Sequence, residues 1–328
     1  MRILVTGAAG FVGSHLSKRL EDEGHKLKLV DNFSRGKMSY LKHLEVETKC
    51  FYGELKDYKT ALNFTKGVDT VFHTAAVIGG EQFLHGSPSQ ELHALWENTM
   101  LDQSVFKACM ENDVSNIIFT SSVSVYDINI QKSKMAKLAP VVFYENDFKS
   151  MPFHPDGGYG LAKALAEKQL EYMSKNGMKV GIARIFKAYG PCDDYSDESG
   201  QVVCSLMRKA IKHPKEPFVV WGNGKAKRCY LYIDDLIDAL IRIFEYGESI
   251  TVNVGEFKET SVKKLAEKII SLSGKEIKIE FDKSKKGTPL SRVPDIGLAV
   301  SKMNWKPTVK LDDGLKKTYD WMLKDLKC

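Results

Sequence analysis

The sequence predicts an α/β fold with a doubly wound, mostly parallel sheet. Short apolar runs, of which Ile3-Leu4-Val5 is the first, alternate with amphipathic stretches as far as Ile185. A glycine-bearing turn directly follows the first run, at the point where a strand would pass into a helix. This alternation is typical of β-α-β units, and right-handed crossovers place such units in one sheet with helices on both faces.

Each predicted element has its own signal in the sequence. A strand is predicted where a short apolar run is bounded by polar residues or glycine, and a helix where apolar residues recur every three or four positions. On these criteria the strands are 3–5, 26–30, 68–74, 116–120 and 180–185, and the helices are 11–23, 92–112 and 159–176.

The rhythm of the chain changes after Pro191. An acidic, glycine-bearing loop from Asp193 to Gly200 precedes a predicted helix at 202–212, and prolines and glycines then break the chain into short pieces. We expect a smaller substrate-binding lobe here, into which the first domain intrudes once. The expected division is 1–186, with 228–255 returning to it, for the larger domain, and 187–227 with 256–328 for a smaller C-terminal α/β lobe.

Composition excludes several classes of protein. The 328 residues are 43% hydrophobic, and 48 basic against 42 acidic residues give a net charge of +6. No basic run is interleaved with aromatic residues, which argues against nucleic-acid binding. Six cysteines without C-x-x-C spacing argue against a zinc site or a disulfide framework. With no signal-peptide pattern and no apolar run of membrane-spanning length, a cytoplasmic protein without a membrane partner is expected.

The turn after the first strand predicts a dinucleotide site of the Rossmann type. Gly7 and Gly10 leave room for a pyrophosphate to approach the backbone amides of Phe11 and Val12, where the helix begins. Asp31 ends the next strand, 18 residues after Gly13, where its carboxylate can accept hydrogen bonds from both adenosine ribose hydroxyls. NAD is therefore favoured, although Arg35 nearby leaves NADP open.

A tyrosine and a lysine supply the predicted chemistry. Tyr159 and Lys163 are four residues apart, hence on one face of a helix, and Ser122 follows a strand that delivers it to the same sheet edge. The unperturbed pKa of tyrosine is about 10, so Tyr159 needs a nearby cation to act as a base near neutral pH. These three residues are the predicted catalytic group.

Several short motifs along the chain agree with this interpretation. They are the glycine turn, Asp31-Asn32, His73-Thr74-Ala75-Ala76, Ser121 to Tyr126, the Tyr159/Lys163 pair, Tyr189-Gly190-Pro191, Gly222-Asn223-Gly224 with Arg228, and Asn253-Val254-Gly255. In these motifs the chain resembles the extended short-chain dehydrogenases, specifically the NAD-dependent sugar-nucleotide epimerase/dehydratase family. The resemblance implies that Tyr159 takes a sugar hydroxyl proton as hydride moves to nicotinamide, that Ser122 bonds the same oxygen, and that Lys163 holds the ribose.

The resemblance also implies binding residues and an assembly. The implied cofactor contacts are Gly7, Gly10, Phe11, Val12, Asp31, Asn32, Glu54, Leu55, Ala75, Tyr159 and Lys163. The implied substrate contacts are Gly80, Ser124, Lys187, Trp221, Arg228 and Arg292, with the two arginines clamping the diphosphate and Trp221 or Phe218 stacking on the base. No metal is implied. A homodimer is expected, formed by the helix that carries Tyr159 and the one near Leu95 to Met110.

Departures from the family pattern narrow the reaction. Val123 and Ser124 occupy the positions at which 4,6-dehydratases carry an Asp-Glu pair, so dehydration is disfavoured. Ser124 and Gln201 stand where 3,5-epimerases need a cysteine and a histidine or lysine, and neither residue is an acid or base near pH 7. A 4-epimerase of a nucleotide-diphosphate sugar is the leading interpretation.

Two alternatives stay open at this stage. The first is a C4 dehydrogenase, possibly of a GDP-sugar, that releases its 4-keto product and recycles NADH with a second substrate. Lys187 favours it, since a lysine in that place could bind an acidic group of either substrate. The second alternative is a catalytically silent NAD(H)-binding regulatory protein, against which the intact Ser122, Tyr159 and Lys163 speak.

Overall fold

The computed structural model describes residues 1–45, 49–132, 140–150, 154–196, 199–284 and 292–326, so residues 197–198 of the acidic loop lie outside the described part. The strands are β1 Arg2–Thr6, β2 Lys26–Asp31, β3 Cys50–Tyr52, β4 Thr70–His73, β5 Asn116–Ser122, β6 Val142–Phe143, β7 Lys179–Phe186, β8 Ala188–Tyr189, β9 Val219–Trp221, β10 Lys227–Cys229, β11 Leu231–Tyr232, β12 Ile250–Gly255, β13 Glu259–Ser261, β14 Glu280–Asp282 and β15 Val293–Pro294.

Twelve α-helices are present among the described residues. They are α1 Phe11–Asp22, α2 Tyr58–Thr65, α3 Glu81–His85, α4 Pro88–Glu111, α5 Ile128–Lys132, α6 Asp147–Ser150, α7 Gly157–Lys175, α8 Val202–Lys212, α9 Ile233–Tyr246, α10 Val262–Ser273, α11 Gly297–Met303 and α12 Leu311–Asp325. Helix α4 starts four residues before the predicted helix, because Ser87 caps its N-terminus and Pro88 fits its first turn.

A seven-stranded parallel sheet forms the centre of the molecule and confirms the predicted fold class. Its order is β12-β7-β5-β4-β1-β2-β3, and every neighbouring pair is parallel. The chain runs outward from β1 through β2 and β3 and then crosses to β4 on the other side. Ligands of open α/β sheets bind at the carboxyl ends of the strands beside such a reversal, which here lies between β1 and β4.

Helices cover both faces of the sheet. Ile3 and Val5 of β1 face one layer, which includes α1 and α9, whereas Leu4 faces the layer that includes α2, α4 and α7. All three side chains are fully buried, and burial of each contributes about 1.5–3 kcal/mol. A strand buried on both faces explains why the first run is continuously apolar rather than alternating.

The C-terminal half both extends the sheet and builds smaller layers. Helix α9 packs on the sheet beside α1, and β12 then adds to the sheet edge next to β7. Helices α8, α10 and α12 pack against one another, and four two-stranded pairs join β6 to β15, β8 to β11, β9 to β14 and β10 to β13. The division into a cofactor domain and a substrate lobe stays a prediction.

Strand β3, Cys50–Tyr52, was not among the predicted elements. It is three residues long, lies at the sheet edge and leaves Phe51 and Tyr52 exposed, so its sequence carries no pattern of burial. In the part of the chain that the structure covers, every helix is too short or too polar to cross a membrane.

Candidate active site

The turn between β1 and α1 is shaped to receive a pyrophosphate. Gly7 has φ 66°, and a Cβ there would lie 2.8 Å from the Ala75 Cα, so a side chain at this position would clash. Gly10 precedes α1 and provides no side-chain cap. The first amides of the helix, at Phe11 and Val12, therefore lack both an intrahelical acceptor and a capping side chain, as an anion site requires.

Asp31 lies at the end of β2 beside this turn. Its Oδ2 accepts from the Ala9 amide at 2.9 Å and its Oδ1 from the Phe33 amide at 2.7 Å, which fixes the carboxylate while leaving each oxygen further lone pairs. Burial raises the pKa of Asp31 despite these bonds. Arg35 forms an ion pair with Asp194, so it is held against the acidic loop rather than left to pair with a phosphate.

The other predicted cofactor contacts surround the ends of β2, β3 and β4. Asn32 Nδ2 donates to Glu54 Oε2 at 3.1 Å, which links the two polar residues expected near the adenosine. Leu55 is buried. The Ala75 amide donates to Thr6 Oγ1 at 3.2 Å and lies against Gly7. These residues line one continuous edge of the sheet.

The structure brings Ser122, Tyr159 and Lys163 to the same edge. Ser122 ends β5 and interacts with the Tyr159 side chain near the start of α7, which lowers the pKa of the Tyr159 hydroxyl. The helix can approach because Gly160 has no Cβ, which would otherwise lie 2.3 Å from the carbonyl oxygen of Ser124. Burial and the charge of Asp102 raise the pKa of Tyr159, whereas the bond to Ser122 lowers it.

Lys163 is fully buried and aimed at aromatic rings. Its Nζ lies 4.3 Å from the centre of the Phe119 ring and 6.0 Å from that of Tyr159. Burial lowers the pKa of Lys163, and the charges of Asp102 and Glu167 oppose this shift. Nζ has no hydrogen-bond partner among the described residues. A buried donor of this kind is costly unless a ligand satisfies it, so the site fits a cofactor ribose.

A buried chain of hydrogen-bonded polar residues lies beside the site, and none of its members is among the predicted site residues. His73 Nε2 lies 3.0 Å from Asp102 Oδ1, and His73 Nδ1 lies 2.7 Å from Thr6 Oγ1. His73 belongs to a noted motif but had no assigned role. The sequence feature that could have drawn attention to Asp102 is an acidic residue among the buried positions of α4, between Leu101 and Val105.

Three of the residues predicted to contact the substrate follow strands of the central sheet. The Gly80 amide donates to the carbonyl of Ser199 at 2.7 Å, which joins the segment after β4 to the acidic loop. The Ser124 amide donates to Ser122 Oγ at 3.1 Å. Lys187 follows β7 with φ 43°, two residues beyond Ile185, the register partner of Ser122. Gly80, Ser124 and Lys187 thus follow strands that end at the catalytic edge.

The remaining predicted contacts differ in exposure. Trp221 is 41% exposed at the end of β9, whereas Phe218 is 1% exposed in the core, so Phe218 is not available to stack on a base. Arg228 is buried, with Nη1 donating to the Lys227 carbonyl at 2.6 Å. Arg292 forms an ion pair with Asp156, the residue that precedes α7, and is thereby anchored near Tyr159. Their contacts with substrate stay predictions.

Comparison with known proteins agrees with this geometry. Residues 3–255 match the NAD dependent epimerase/dehydratase family. The chain belongs to this family. GDP-mannose 3,5-epimerase 1 of Oryza sativa subsp. japonica is 29% identical over 100% of this chain and 83% of its own. UDP-glucuronic acid decarboxylase 1 of Xenopus tropicalis is 29% identical over 99% and 73%. The crystal structure of UDP-glucose 4-epimerase from Thermotoga maritima, at 26% identity, has a TM-score of 0.85 and covers 99% of this chain and 100% of its own.

Membership confirms the resemblance inferred from the motifs. The protein is an NAD-dependent enzyme of the sugar-nucleotide epimerase/dehydratase class, so a catalytically silent regulatory role loses its support. The cofactor is NAD, for which the glycine turn, Asp31 and Lys163 provide a fitting site. Among the described residues, no three His, Cys, Asp or Glu side chains lie close enough together to hold a metal ion.

Proposed function

We propose that this enzyme oxidises and then reduces C4 of a nucleotide-diphosphate sugar and acts as a 4-epimerase. The observation that carries the proposal is the joining of Ser122, Tyr159 and Lys163 at the carboxyl edge of the sheet, beside the glycine turn. Val123 and Ser124, which follow Ser122, supply no acid or base. Such a site is sufficient for redox chemistry at one carbon.

Each catalytic residue has one task in the proposed mechanism. NAD, when bound, supplies the hydride acceptor and later the hydride donor. Tyr159 takes the proton of the C4 hydroxyl and returns it, while Ser122 hydrogen-bonds the same oxygen. Lys163 holds the cofactor ribose, and its charge stabilises the Tyr159 phenolate. Inversion at C4 then requires the 4-keto sugar to turn over before hydride returns to its other face.

The relatives support this class of reaction without agreeing on its details. The 4-epimerase of Thermotoga maritima shares the fold over the whole chain. Similarity to a 3,5-epimerase raises a competing possibility. Against it, Ser124 and Gln201 stand where the two acid/base groups are needed, and neither side chain ionises near neutral pH. We therefore prefer inversion at C4 alone.

The second candidate is a C4 dehydrogenase that releases its keto product, and Lys187 favours it. Lys187 has a left-handed backbone, with φ 43°. This conformation costs a residue with a side chain about 1–2 kcal/mol, and asparagine adopts it more readily than lysine. A cation held in this conformation at the catalytic edge suits an acidic sugar or a carboxylate co-substrate. A relative named as a decarboxylase of UDP-glucuronic acid acts on such a sugar.

A substrate panel tests the two candidates. The purified enzyme is incubated with neutral and uronic UDP-, GDP-, CDP- and dTDP-sugars, and NADH absorbance and product configuration by NMR are followed. A C4-inverted sugar without net NADH is the expected result. NADH that accumulates and is discharged by an added keto acid favours the dehydrogenase, and inversion at C3 or C5 contradicts both.

The role of Lys187 is tested by substitution within the same panel. Lys187→Asn keeps the backbone conformation accessible while removing the charge, and it should reduce kcat/KM for acidic substrates more than for neutral ones. Lys179→Asn, at the exposed start of the strand that precedes Lys187, is the matched control and should change neither. Equal effects of Lys187→Asn on both substrate types contradict the charge role.

We also propose that two copies of the chain associate through α4 and α7. These helices pack against each other, yet both leave apolar side chains exposed. The residues are Leu92, Trp96 and Met100 at intervals of four on α4, with Leu165 and Tyr172 on α7. Exposed apolar side chains on two neighbouring helices are typical of an interface, and a second copy would form a four-helix contact.

The cytoplasm is the expected location. Cys50, Cys109, Cys192, Cys204 and Cys229 are free among the described residues, as is usual for a chain kept in a reducing compartment.

A further inference from the structure

The strand that follows Arg292 is tied to the central sheet by a buried amide. β15 begins directly after Arg292 and runs parallel to β6, and the Asp295 amide just beyond it donates to the Phe143 carbonyl at 2.8 Å. Asn253 of β12 is fully buried, and its Nδ2 donates to the carbonyls of Phe143 and Asp295 at 2.9 and 3.1 Å. Asn253 therefore holds both strands of the pair against the edge of the sheet.

Two further buried residues join this amide to helix α7. Tyr126 Oη donates to Asn253 Oδ1 at 2.6 Å and accepts from Arg184 Nη1 at 3.0 Å. A hydroxyl can donate and accept at once, so one atom connects the two neighbours. Arg184 Nη2 in turn donates to Oε2 of Glu167 at 2.7 Å, and Glu167 lies on α7. A continuous series of hydrogen bonds thus runs from the end of β15 to the helix that carries Tyr159.

Arg292 contacts the beginning of the same helix directly. It is buried, and its Nη2 pairs with Oδ2 of Asp156, the residue that precedes α7. An aspartate in that place commonly caps a helix by accepting from one of its first amides, but the Asp156 side chain makes no such bond. Its carboxylate is directed to Arg292, while its backbone amide is fixed by the Ser124 carbonyl at 2.8 Å.

These contacts lead to α7 from both ends of β15. Arg292 precedes the strand and Asp295 follows it, so one route is direct and the other passes through Asn253. The four side chains of the longer route are each at most 5% exposed. Buried hydrogen bonds are costly to break, because each leaves an unpaired polar group away from water. A shift of β15 relative to α7 is therefore strongly opposed.

We propose that Asn253 and Tyr126 position Arg292 for the diphosphate of the substrate, by holding β15 in a fixed place beside the start of α7. Neither residue touches the substrate in this proposal, so both are positioning residues. An arginine that is held before binding loses less conformational entropy when a phosphate arrives, and its planar donors meet the oxygens in a fixed orientation. The inference rests on the proposed function in taking Arg292 as a ligand of the diphosphate.

The first test follows the Arg292 side chain without any sugar nucleotide. In the full-length, NAD-bound protein, 15N relaxation of the Arg292 Nε–H bond is measured by NMR, and the signal is assigned by its loss in Arg292→Lys. Tyr126→Phe keeps a ring that can stack on Phe143 but removes the hydroxyl link. The order parameter of the Nε–H bond should then fall from about 0.85 toward about 0.6. An unchanged order parameter overturns the proposal.

A double-mutant cycle measures whether the effect passes through Arg292. Binding of UDP and of GDP to the NAD-bound protein is measured by isothermal titration. Tyr126→Phe should weaken binding about fivefold, as for the loss of one hydrogen bond, and should have no further effect in an Arg292→Met background. Thr318→Val, which removes another buried hydroxyl within α12, is the matched control and should bind normally. Equal losses with and without Arg292 overturn the proposal.

Kinetics separates this inference from the proposed function. In Tyr126→Phe, KM for the sugar nucleotide should rise about fivefold while kcat stays nearly unchanged, because binding of the ground state and of the transition state is lost equally. A fall in kcat without a rise in KM contradicts the positioning role. If no sugar nucleotide is turned over, the proposed function fails, while the relaxation of Arg292 still decides this inference.

Discussion

Without the cofactor, the surroundings of Tyr159 disfavour the deprotonated form of its hydroxyl. Burial and the Asp102 charge raise its pKa, and the hydrogen bond with Ser122 only partly counters them. The phenolate therefore depends on Lys163 and on the positive nicotinamide ring when NAD is bound. Because the base form is the deprotonated one, kcat should rise as the pH rises, until the protein loses stability or Lys163 loses its proton.

Removal of the Tyr159 hydroxyl should stop turnover. Tyr159→Phe preserves the ring packing, so NAD binding and folding should remain nearly unchanged, whereas kcat should fall about 10²–10⁴-fold, as is usual for a general base. NADH fluorescence titration and product formation measure the two effects. Tyr172→Phe, on the exposed part of the same helix, is the control. Activity that survived would show that another group is the base.

Asp31 should control the affinity for NAD. Asp31→Ala removes the ribose acceptor and the acceptor for the Ala9 and Phe33 amides, so NAD binding should weaken about tenfold to a hundredfold, in line with ~1.5–3 kcal/mol for charged hydrogen bonds. Isothermal titration measures the change. Asp69→Ala, at the amino-terminal end of the strands, where Asp69 pairs with Arg2, should bind normally. Equal losses in both variants would argue against the ribose contact.

At the scale of elements, the acidic loop after β8 connects the segment after β2 with the segment after β4. Asp194 pairs with Arg35, and the Ser199 carbonyl accepts from the Gly80 amide. Within this loop Asp193 is buried, and burial raises its pKa to about 7, opposed by the amide of Asp194. The folded protein therefore binds a proton at Asp193 that the unfolded chain releases at lower pH.

The stability of this loop should depend on pH. The pKa of Asp193 is raised from 3.8 to about 7 in the folded protein. The free energy of unfolding therefore falls as the pH rises through the range between these two values, and the loss is complete above pH 7. Asp193→Asn lacks this loss, so its melting temperature should exceed that of the wild type by about 2 °C or more above pH 7, and the difference should shrink in acid.

Asp194→Asn is the matched contrast for this experiment. Although burial opposes them, hydrogen bonds from Ser199 and Ser196 and the charge of Arg35 lower the pKa of Asp194. Its ionised form is stabilised by folding, so Asp194→Asn should lower the melting temperature near neutral pH. A melting difference for Asp193→Asn that does not vary with pH would contradict the assigned titration.

For the whole molecule, the exposed face of α4 and α7 should determine assembly. Trp96→Glu places a charge in the centre of the apolar patch and should convert a dimer, at twice the chain mass of 36.9 kDa, into a monomer. Light scattering after size-exclusion chromatography measures the mass. Phe257→Glu, at a similarly exposed aromatic residue on a loop, should remain dimeric. A wild-type monomer would refute the proposed assembly.

Local sequence signals predicted most of the sheet and the core of the site. The strand β1, the glycine turn and Asp31 lie within one stretch of chain, so their spacing alone predicts a dinucleotide site. Tyr159 and Lys163 share a helix face for the same reason. Strand β3 escaped prediction because three residues at a sheet edge bury too little to leave a pattern.

The sequence by itself determined the fold class and the cofactor, and it predicted Tyr159 and Lys163 as the catalytic pair, because these signals lie in short stretches of chain. The tertiary structure alone decided that Arg35 pairs with Asp194, that Phe218 is buried, and that Asp102 contacts His73. Such pairings join distant segments, and burial gives their charges an influence that spacing along the sequence does not reveal.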